Sequence, residues 1–96
     1  MVQSRSTRFN IESDVALWLM EDRSTPRTGR VRNISGTGFC AAMDLPAPVG
    51  SMVGFEVRLP VGSSIVRGLG KLIWQHASNM TNGIAIRHYT IEQAAA

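Results

Sequence analysis

The chemistry that this sequence offers is concentrated in its arginines and in one short polar segment. Nine of the ten basic residues are arginine, and two of them, Arg5 and Arg8, lie near the start. The segment Asn33-Ile-Ser-Gly-Thr-Gly38 adds an amide, two hydroxyls and two glycines. An arginine side chain is a planar cation that binds a phosphate or a base edge through two hydrogen bonds and stacks on aromatic rings. This composition fits an anionic partner with planar parts, although a GC-rich genome would also enrich arginine whatever the function.

No residue pattern typical of an enzyme or a metal site is present in the sequence. His76 and His88 are twelve residues apart, and Cys40 is the single cysteine, so metal-ligand spacing and a disulfide framework are both missing. Neither histidine lies in a recognisable nucleophile motif, and the sequence contains no phosphate-binding loop of the G-x-x-x-x-G-K-[ST] type. We therefore expect a protein that binds a partner, with no catalytic residues, no metal and no cofactor.

The size and composition predict one small domain with a single core. The chain has 96 residues, of which 44% are apolar and 18% charged, which is typical of a globular protein. The sequence contains no apolar stretch long enough to cross a membrane, and its N-terminal residues lack the apolar region of a secretion signal. We expect a cytoplasmic domain of the bacterial type that does not insert into a membrane.

The order of apolar and polar residues predicts an antiparallel β-protein. Residues 1–12 carry two arginines and show no sustained period, which favours a flexible N-terminal arm, and residues 13–96 would form the domain. Six short strands that must hide their edges favour an all-β fold, a six-stranded antiparallel barrel. The predicted strands cover residues 14–20, 27–34, 39–43, 52–59, 65–74 and 84–87.

Turns, a bulge and a helix are predicted between and after these strands. The polar cluster at 22–26 and the Asn82-Gly83 pair both read as turns. Gly68 and Gly70 indicate a bulge or a barrel corner within a long strand. The capping-box pattern of Thr90-Ile-Glu-Gln93 predicts the start of a short C-terminal helix.

The core can also be predicted in part. The clearest strand, at 52–59, alternates apolar and other residues, so one of its faces should be buried. That face consists of Val53, Phe55, Val57 and Leu59. Trp18 and Trp74, together with Phe39 and Phe55, are expected to anchor the core rather than to stack on a ligand.

The segment 33–38, preceded by an arginine arm, resembles the signature of the PilZ domain, the bacterial receptor module for cyclic di-GMP. The family signature is R-x-x-x-R in an N-terminal arm, followed after one strand and a turn by [DN]-x-S-x-x-G. Asn33, Ser35 and Gly38 match the second motif in full. The first motif departs from the pattern, because Ser4 stands four positions before Arg8 and the nearest arginine is Arg5.

The resemblance implies a fold, a ligand and a set of contacts. The family fold is a six-stranded antiparallel barrel with a C-terminal helix. Arg5 and Arg8 would hold a phosphate or a guanine, with the arm closing over the ligand. Asn33 would meet a guanine edge, Ser35 would add a hydroxyl, and Gly38 would allow a close backbone approach or a positive φ.

Three alternatives stay open at this point. The segment 33–38 could be only a hairpin turn, because Asn, Ser and Gly are common turn residues. With one arginine displaced, the chain could also be a degenerate PilZ domain that binds no nucleotide and acts as a protein-interaction module. A downstream protein partner is expected in either case. A small basic β-barrel could bind nucleic acids in general, which we do not expect to be the main function.

Overall fold

The computed structural model describes residues 9–59 and 64–93. In this part of the chain, six strands form a closed antiparallel barrel in the order β1-β2-β3-β6-β5-β4, which confirms the predicted fold. The strands are β1 (Phe9–Leu19), β2 (Asp22–Ser35), β3 (Gly38–Ala42), β4 (Met52–Arg58), β5 (Ser64–His76) and β6 (Thr81–Gln93). A short 3-10 turn, Ala77–Asn79, joins β5 to β6.

One apolar core fills the barrel. Val53, Phe55 and Val57 point inward from β4 and are buried, as their alternation predicted. Phe39 meets Phe55 edge to face, with the ring centroids 5.1 Å apart, so both phenylalanines anchor the core as expected. Leu45 adds a buried side chain from the loop after β3.

The first strand begins inside the segment that was predicted to be an arm. Residues 9–12 are strand residues, and Phe9 and Asn10 pair with Ile34 and Asn33 at the end of β2. Four residues contain too few side chains for a strand period to be recognised in the sequence. The rest of the predicted arm, residues 1–8, lies outside the described residues.

The turn predicted at 22–26 is wrong, because these residues belong to β2. Leu19 pairs with Asp22 and Leu17 with Arg27, so the residues between those two partners form a bulge, where a proline such as Pro26 is tolerated. The Asp22 carboxylate accepts hydrogen bonds from the Ser24 hydroxyl and backbone N–H, which hold the pKa of Asp22 below its ordinary value. Residues that commonly form turns, and the local hydrogen bonds between Asp22 and Ser24, therefore lie inside a strand here.

The Asn82-Gly83 turn is also wrong, since both residues lie within β6. The chain reverses earlier, at Ala77–Asn79 and at Met80, whose φ of 51° is left-handed. The Asn82 side chain is 1% exposed, and its amide donates to the carbonyl oxygens of Ala41 and Met43 at 3.2 and 2.9 Å. A buried amide with satisfied donors explains this asparagine better than a turn does.

The helix predicted to start at Thr90 does not form over residues 90–93. These residues continue β6 and pair with residues 64–67 of β5. Pairing along a whole strand satisfies more backbone groups than a local capping box, so the tertiary context overrides the local signal. Residues 94–96 lie outside the described part.

Candidate functional site

The motif residues Ser35 and Gly38 face each other where the β2–β3 hairpin turns. The Ser35 hydroxyl accepts a hydrogen bond from the Thr37 N–H at 3.2 Å, and the Thr37 hydroxyl lies 3.1 Å away. The Ser35 hydroxyl also donates to the Gly38 carbonyl at 3.4 Å. The hairpin interpretation is thus correct for the backbone, and the Ser35 hydroxyl stabilises the turn through its contacts with Thr37 and Gly38.

Gly38 is required by a close approach of two strands. A Cβ atom at this position would lie 2.6 Å from the carbonyl oxygen of Ile84 in β6. Among the described glycines only Gly50 has a positive φ, so conformational freedom is not the reason for glycine at position 38. Of the two roles considered from the sequence, close approach is the one that the structure supports.

Asn33 begins a row of residues that crosses four neighbouring strands on the outer surface. Asn33 in β2 pairs with Cys40 in β3, Cys40 with Gly83 in β6, and Gly83 with Trp74 in β5. Neighbouring strands are about 4.8 Å apart, so the row is about 14 Å long. It has an amide at one end, an indole at the other and small residues between them.

A shallow cavity of about 180 Å³ follows this row and contains the motif residues Asn33, Ser35 and Gly38. The other residues that line it are Thr37, Phe39, Cys40, Ile73, Trp74, Gly83, Ile84 and Ala85. Among residues 12–59 and 64–93, whose side chains the structure describes, the Asn33 side chain has no hydrogen-bond partner. The cavity therefore combines an amide, a hydroxyl and an exposed aromatic ring above a floor of small residues.

Trp74 is the site residue that the sequence analysis missed, because it was expected in the core. Leu72 pairs with Ile84 and Trp74 pairs with Gly83, so Ile73 is an extra residue, a bulge, in β5. The bulge turns Trp74 outward, and Ile73 and Trp74 are 48% and 38% exposed. Three successive apolar residues, 72–74, are more than an alternating strand needs, and that excess is the signal that could have indicated the bulge.

The indole of Trp74 rests on Gly83. A Cβ atom at Gly83 would lie 2.2 Å from both Nε1 and Cε2 of Trp74. The His76 ring meets the indole at a centroid distance of 5.1 Å and an interplanar angle of 69°. The position of Trp74 is therefore set by β6 beneath the ring and by the imidazole beside it.

Trp18 has a similar seat elsewhere on the barrel, so its predicted core position is wrong as well. It pairs with Gly54, and a Cβ atom there would lie 2.2 Å from its Nε1. A cavity of about 360 Å³ next to it is lined by Trp18 and Gly54 together with Met20, Arg23, Arg67, Gly68, Leu69, His88 and Thr90. None of the motif residues at 33–38 lines this cavity.

Several arginines are neutralised by carboxylates. Arg30 lies 3.0 Å from Asp14, within the lining of a larger, open cavity of about 560 Å³ between β1, β2 and β4. Arg67 lies 2.8 Å from Glu56 and 3.2 Å from Glu92. The hydrogen bond that Arg67 donates to Glu56 and the charges of both glutamates raise the pKa of Arg67 above its ordinary value. We place the candidate site in the smaller cavity because it contains the motif residues Asn33, Ser35 and Gly38, whereas the carboxylates that line the larger one, Asp14 and Glu56, are paired with arginines.

The start of β1 lies beside the motif. β1 begins at Phe9, which pairs with Ile34, and Asn10 pairs with Asn33 at the amide end of the row. Arg5 and Arg8 lie outside the described residues. The eight residues that contain them are attached at this edge of the site.

Residues 9–59 and 64–93 contain neither a cluster of metal-ligating side chains nor a membrane-spanning helix. No group of three or more His, Cys, Asp or Glu side chains there could hold a metal ion. The same residues contain no helix of the length and apolar character that a membrane crossing requires.

No family model and no curated protein matches the sequence. Among solved structures, the chain is similar to the inhibitor of motility MotI/DgrA of Bacillus subtilis, with a TM-score of 0.74 and 13% identity over 94% of this chain and 45% of that one. It is also similar to the PilZ domain of CeSA from a cellulose-synthesizing bacterium, with a TM-score of 0.66 and 20% identity over 92% and 84% of the two chains. The chain has the fold of a PilZ domain. It spans less than half the length of MotI/DgrA, and at these identities the likeness concerns the fold.

Proposed function

We propose that this PilZ-fold barrel is a cytoplasmic receptor domain for cyclic di-GMP and has no catalytic activity. One observation carries the proposal. The three described residues of the second signature motif, Asn33, Ser35 and Gly38, line a single cavity that also presents the exposed ring of Trp74.

The parts of the cavity match the parts of a cyclic dinucleotide. The Trp74 ring offers a stacking surface for a guanine, and such stacking contributes about 1–3 kcal/mol per base. The Asn33 amide can accept a guanine N–H and donate to a guanine acceptor. The small side chains of Cys40 and Ala85 leave room for a planar base to approach the sheet.

The phosphates need cationic partners, and the arm supplies them in this proposal. Arg5 and Arg8 precede Phe9, which is paired next to Asn33. Closure of the arm over the cavity would bring their guanidinium groups to the phosphates, where bidentate hydrogen bonds are the favoured geometry. Arg5 takes the place of the arginine that is missing at Ser4.

Titration calorimetry on the whole chain tests this function, with cyclic di-AMP and GTP as controls. We expect saturable binding of cyclic di-GMP and much weaker binding of cyclic di-AMP, because adenine carries a donor where guanine carries the O6 acceptor. Absence of binding at millimolar cyclic di-GMP would refute the proposal. Equal binding of all three nucleotides would indicate a phosphate site without base recognition.

A protein-interaction module without nucleotide is the second candidate function. The observation that favours it is the surface around Trp18, Met20 and Arg23, because Trp, Met and Arg are enriched in protein interfaces. The variant Ser4→Arg separates the two functions. If wild-type protein ignores cyclic di-GMP and Ser4→Arg binds it, the chain is a degenerate receptor and this second function is favoured.

A further inference from the structure

We infer that Gly83 and His76 are positioning residues that hold Trp74 as a fixed aromatic platform for the ligand base. The inference deepens the proposed function and rests on it only for the identity of the ligand. The position of the indole can be measured without any ligand.

Ile73 and Trp74 are large apolar side chains that are exposed. The bulge at Ile73 places two large apolar side chains next to each other on the outer surface. Exposing them forgoes the stabilisation that burial would give, so their position calls for another explanation. Bulges occur preferentially next to functional sites, where they redirect a side chain. Here the redirected side chain is Trp74, and it faces the cavity that contains Asn33.

Gly83 lies directly beneath the Trp74 ring. Any other residue at this position would place its Cβ 2.2 Å from two atoms of a rigid ring, well below the 3.0 Å that real Cβ contacts keep. The indole would have to leave the surface of β6. Glycine within a strand is unfavourable because it has no side chain to pack, and an aromatic ring from the neighbouring strand can compensate for this. Gly83 and Trp74 are therefore interdependent, and the glycine fixes the height of the ring above the sheet.

His76 contacts the side of the Trp74 ring. Trp74 and His76 lie two residues apart on one face of β5, and their rings meet edge to face at 5.1 Å. This contact limits the swing of the indole toward the end of the strand. With Gly83 beneath and His76 beside it, Trp74 keeps its position in the free protein. A base that stacks on it then does not have to order the ring, which improves affinity.

The test compares Gly83→Ala with the matched variant Gly54→Ala. Both variants add one methyl group under a tryptophan, and in each the new Cβ would lie 2.2 Å from the nearest ring atom. Of the two tryptophans, Trp74 lines the proposed site and Trp18 does not. Gly83→Ala should weaken cyclic di-GMP binding by about tenfold, within the range for loss of one stacking contact. Gly54→Ala should leave the affinity within about twofold. Thermal unfolding verifies that both variants are folded.

A measurement without ligand separates the inference from the proposed function. In a Trp18→Phe background the emission of Trp74 can be read alone, and acrylamide quenching reports the exposure of its ring. Gly83→Ala and His76→Ala should both raise the quenching constant, and His76→Phe should restore it because a phenyl edge can replace the imidazole edge. Unchanged quenching in both alanine variants would overturn the inference, even if the wild-type protein binds cyclic di-GMP.

A double-mutant cycle closes the test. If Gly83 acts through the indole, Gly83→Ala should cost little additional affinity in a Trp74→Ala background. Full additivity of the two losses would show that Gly83 acts by another route and would also overturn the inference. If the wild-type protein binds no cyclic di-GMP, the proposed function fails, and the quenching result still decides whether Gly83 and His76 hold the ring. His76→Ala keeps the test decisive if Gly83→Ala does not fold.

Discussion

Two tryptophans of this barrel are seated in the same way, each on a glycine of the neighbouring strand, and yet their surroundings differ. Trp74 rests on Gly83 beside the neutral, small residues of the motif row, whereas Trp18 rests on Gly54 in a cavity that also contains Arg23. In both places the ring covers the glycine, and the glycine is buried. An aromatic ring on a sheet therefore does not define a ligand site. The other groups in the row decide, and of these two rows the one that contains Trp74 ends in the Asn33 amide.

The charges around the two rings differ as well. Near Trp18, Arg67 is held by Glu56 and Glu92, so its guanidinium is engaged within the protein. The cavity at Trp74 is lined by uncharged residues, and in the proposed function its cations come from the arm. A doubly charged ligand would then be neutralised only when the arm closes, which couples binding to arm position.

The largest effect is expected from the arm. Arg8→Ala should cost about 1.5–3 kcal/mol of cyclic di-GMP binding, which is the usual contribution of a hydrogen bond to a charged group. The affinity would fall by about 10- to 150-fold. Arg23→Ala, the matched change at the Trp18 cavity, should leave it nearly unchanged. Calorimetry on both variants checks this, and equal losses would remove the distinction between the two cavities.

Removal of the rings should produce the next largest effect. Trp74→Ala should weaken cyclic di-GMP binding by about 1–3 kcal/mol, because one stacking surface is lost. Trp18→Ala should leave binding unchanged and lower only the stability, since it uncovers Gly54. The experiment needs affinity from calorimetry and melting temperature from circular dichroism for each variant. A binding loss in Trp18→Ala as large as that in Trp74→Ala would contradict the assignment of the site to the Trp74 row.

A smaller effect of opposite sign is expected at the other end of the row. Asn33→Asp should strengthen binding by about 1 kcal/mol, because a carboxylate accepts both guanine donors with charge assistance. Asn33→Ala, the matched control, should weaken it. Titration of both variants at one ionic strength is the measurement. A loss of affinity in Asn33→Asp would place this residue near a phosphate instead of a base.

The smallest effect concerns stability near Trp18 and depends on pH. The hydrogen bonds from Ser24 lower the pKa of Asp22 from its ordinary 3.8, so the ionised carboxylate is stabilised in the folded state. This contribution is present above pH 3.8 and is lost as the pH falls through the lower folded-state pKa. Asp22→Asn should therefore be slightly less stable than wild type near neutral pH and equally stable well below pH 3.8. Urea unfolding at both values tests it, with cyclic di-GMP affinity unchanged throughout.

The sequence predicted the barrel well because alternation in the strands is dense. Val53, Phe55 and Val57 alone specify an inward face, and the lack of alternating strand and helix patterns excludes a parallel sheet. The motif residues at 33–38 lie close together because they belong to one hairpin, and their contacts with a ligand stay predictions. The arginine partners of the motif lie outside the described residues, so their roles remain predictions.

What the sequence could not predict depends on contacts between distant strands. Trp74 was assigned to the core because a bulge changes the side of every residue after it, and one extra residue leaves a faint trace in the period. Asn82 was assigned to a turn because its two carbonyl partners lie in another hairpin. At Thr90, pairing with β5 overrides the local capping signal. In each case the deciding partner is about 20 or more residues away or on another strand.

The row from Asn33 to Trp74 also has a consequence for folding. Its residues come from the β2–β3 hairpin and the β5–β6 hairpin, which meet only along the seam between β3 and β6. A molecule bound across this row contacts both hairpins, which are distant in the chain. Neither hairpin alone contains the whole row. Ligand occupancy should therefore be coupled to global unfolding, so that saturation at 100 times the dissociation constant adds about 2.7 kcal/mol to the stability. Ligand binding should therefore stabilise the pairing of β3 with β6, and amide exchange in these two strands should slow together when the ligand binds.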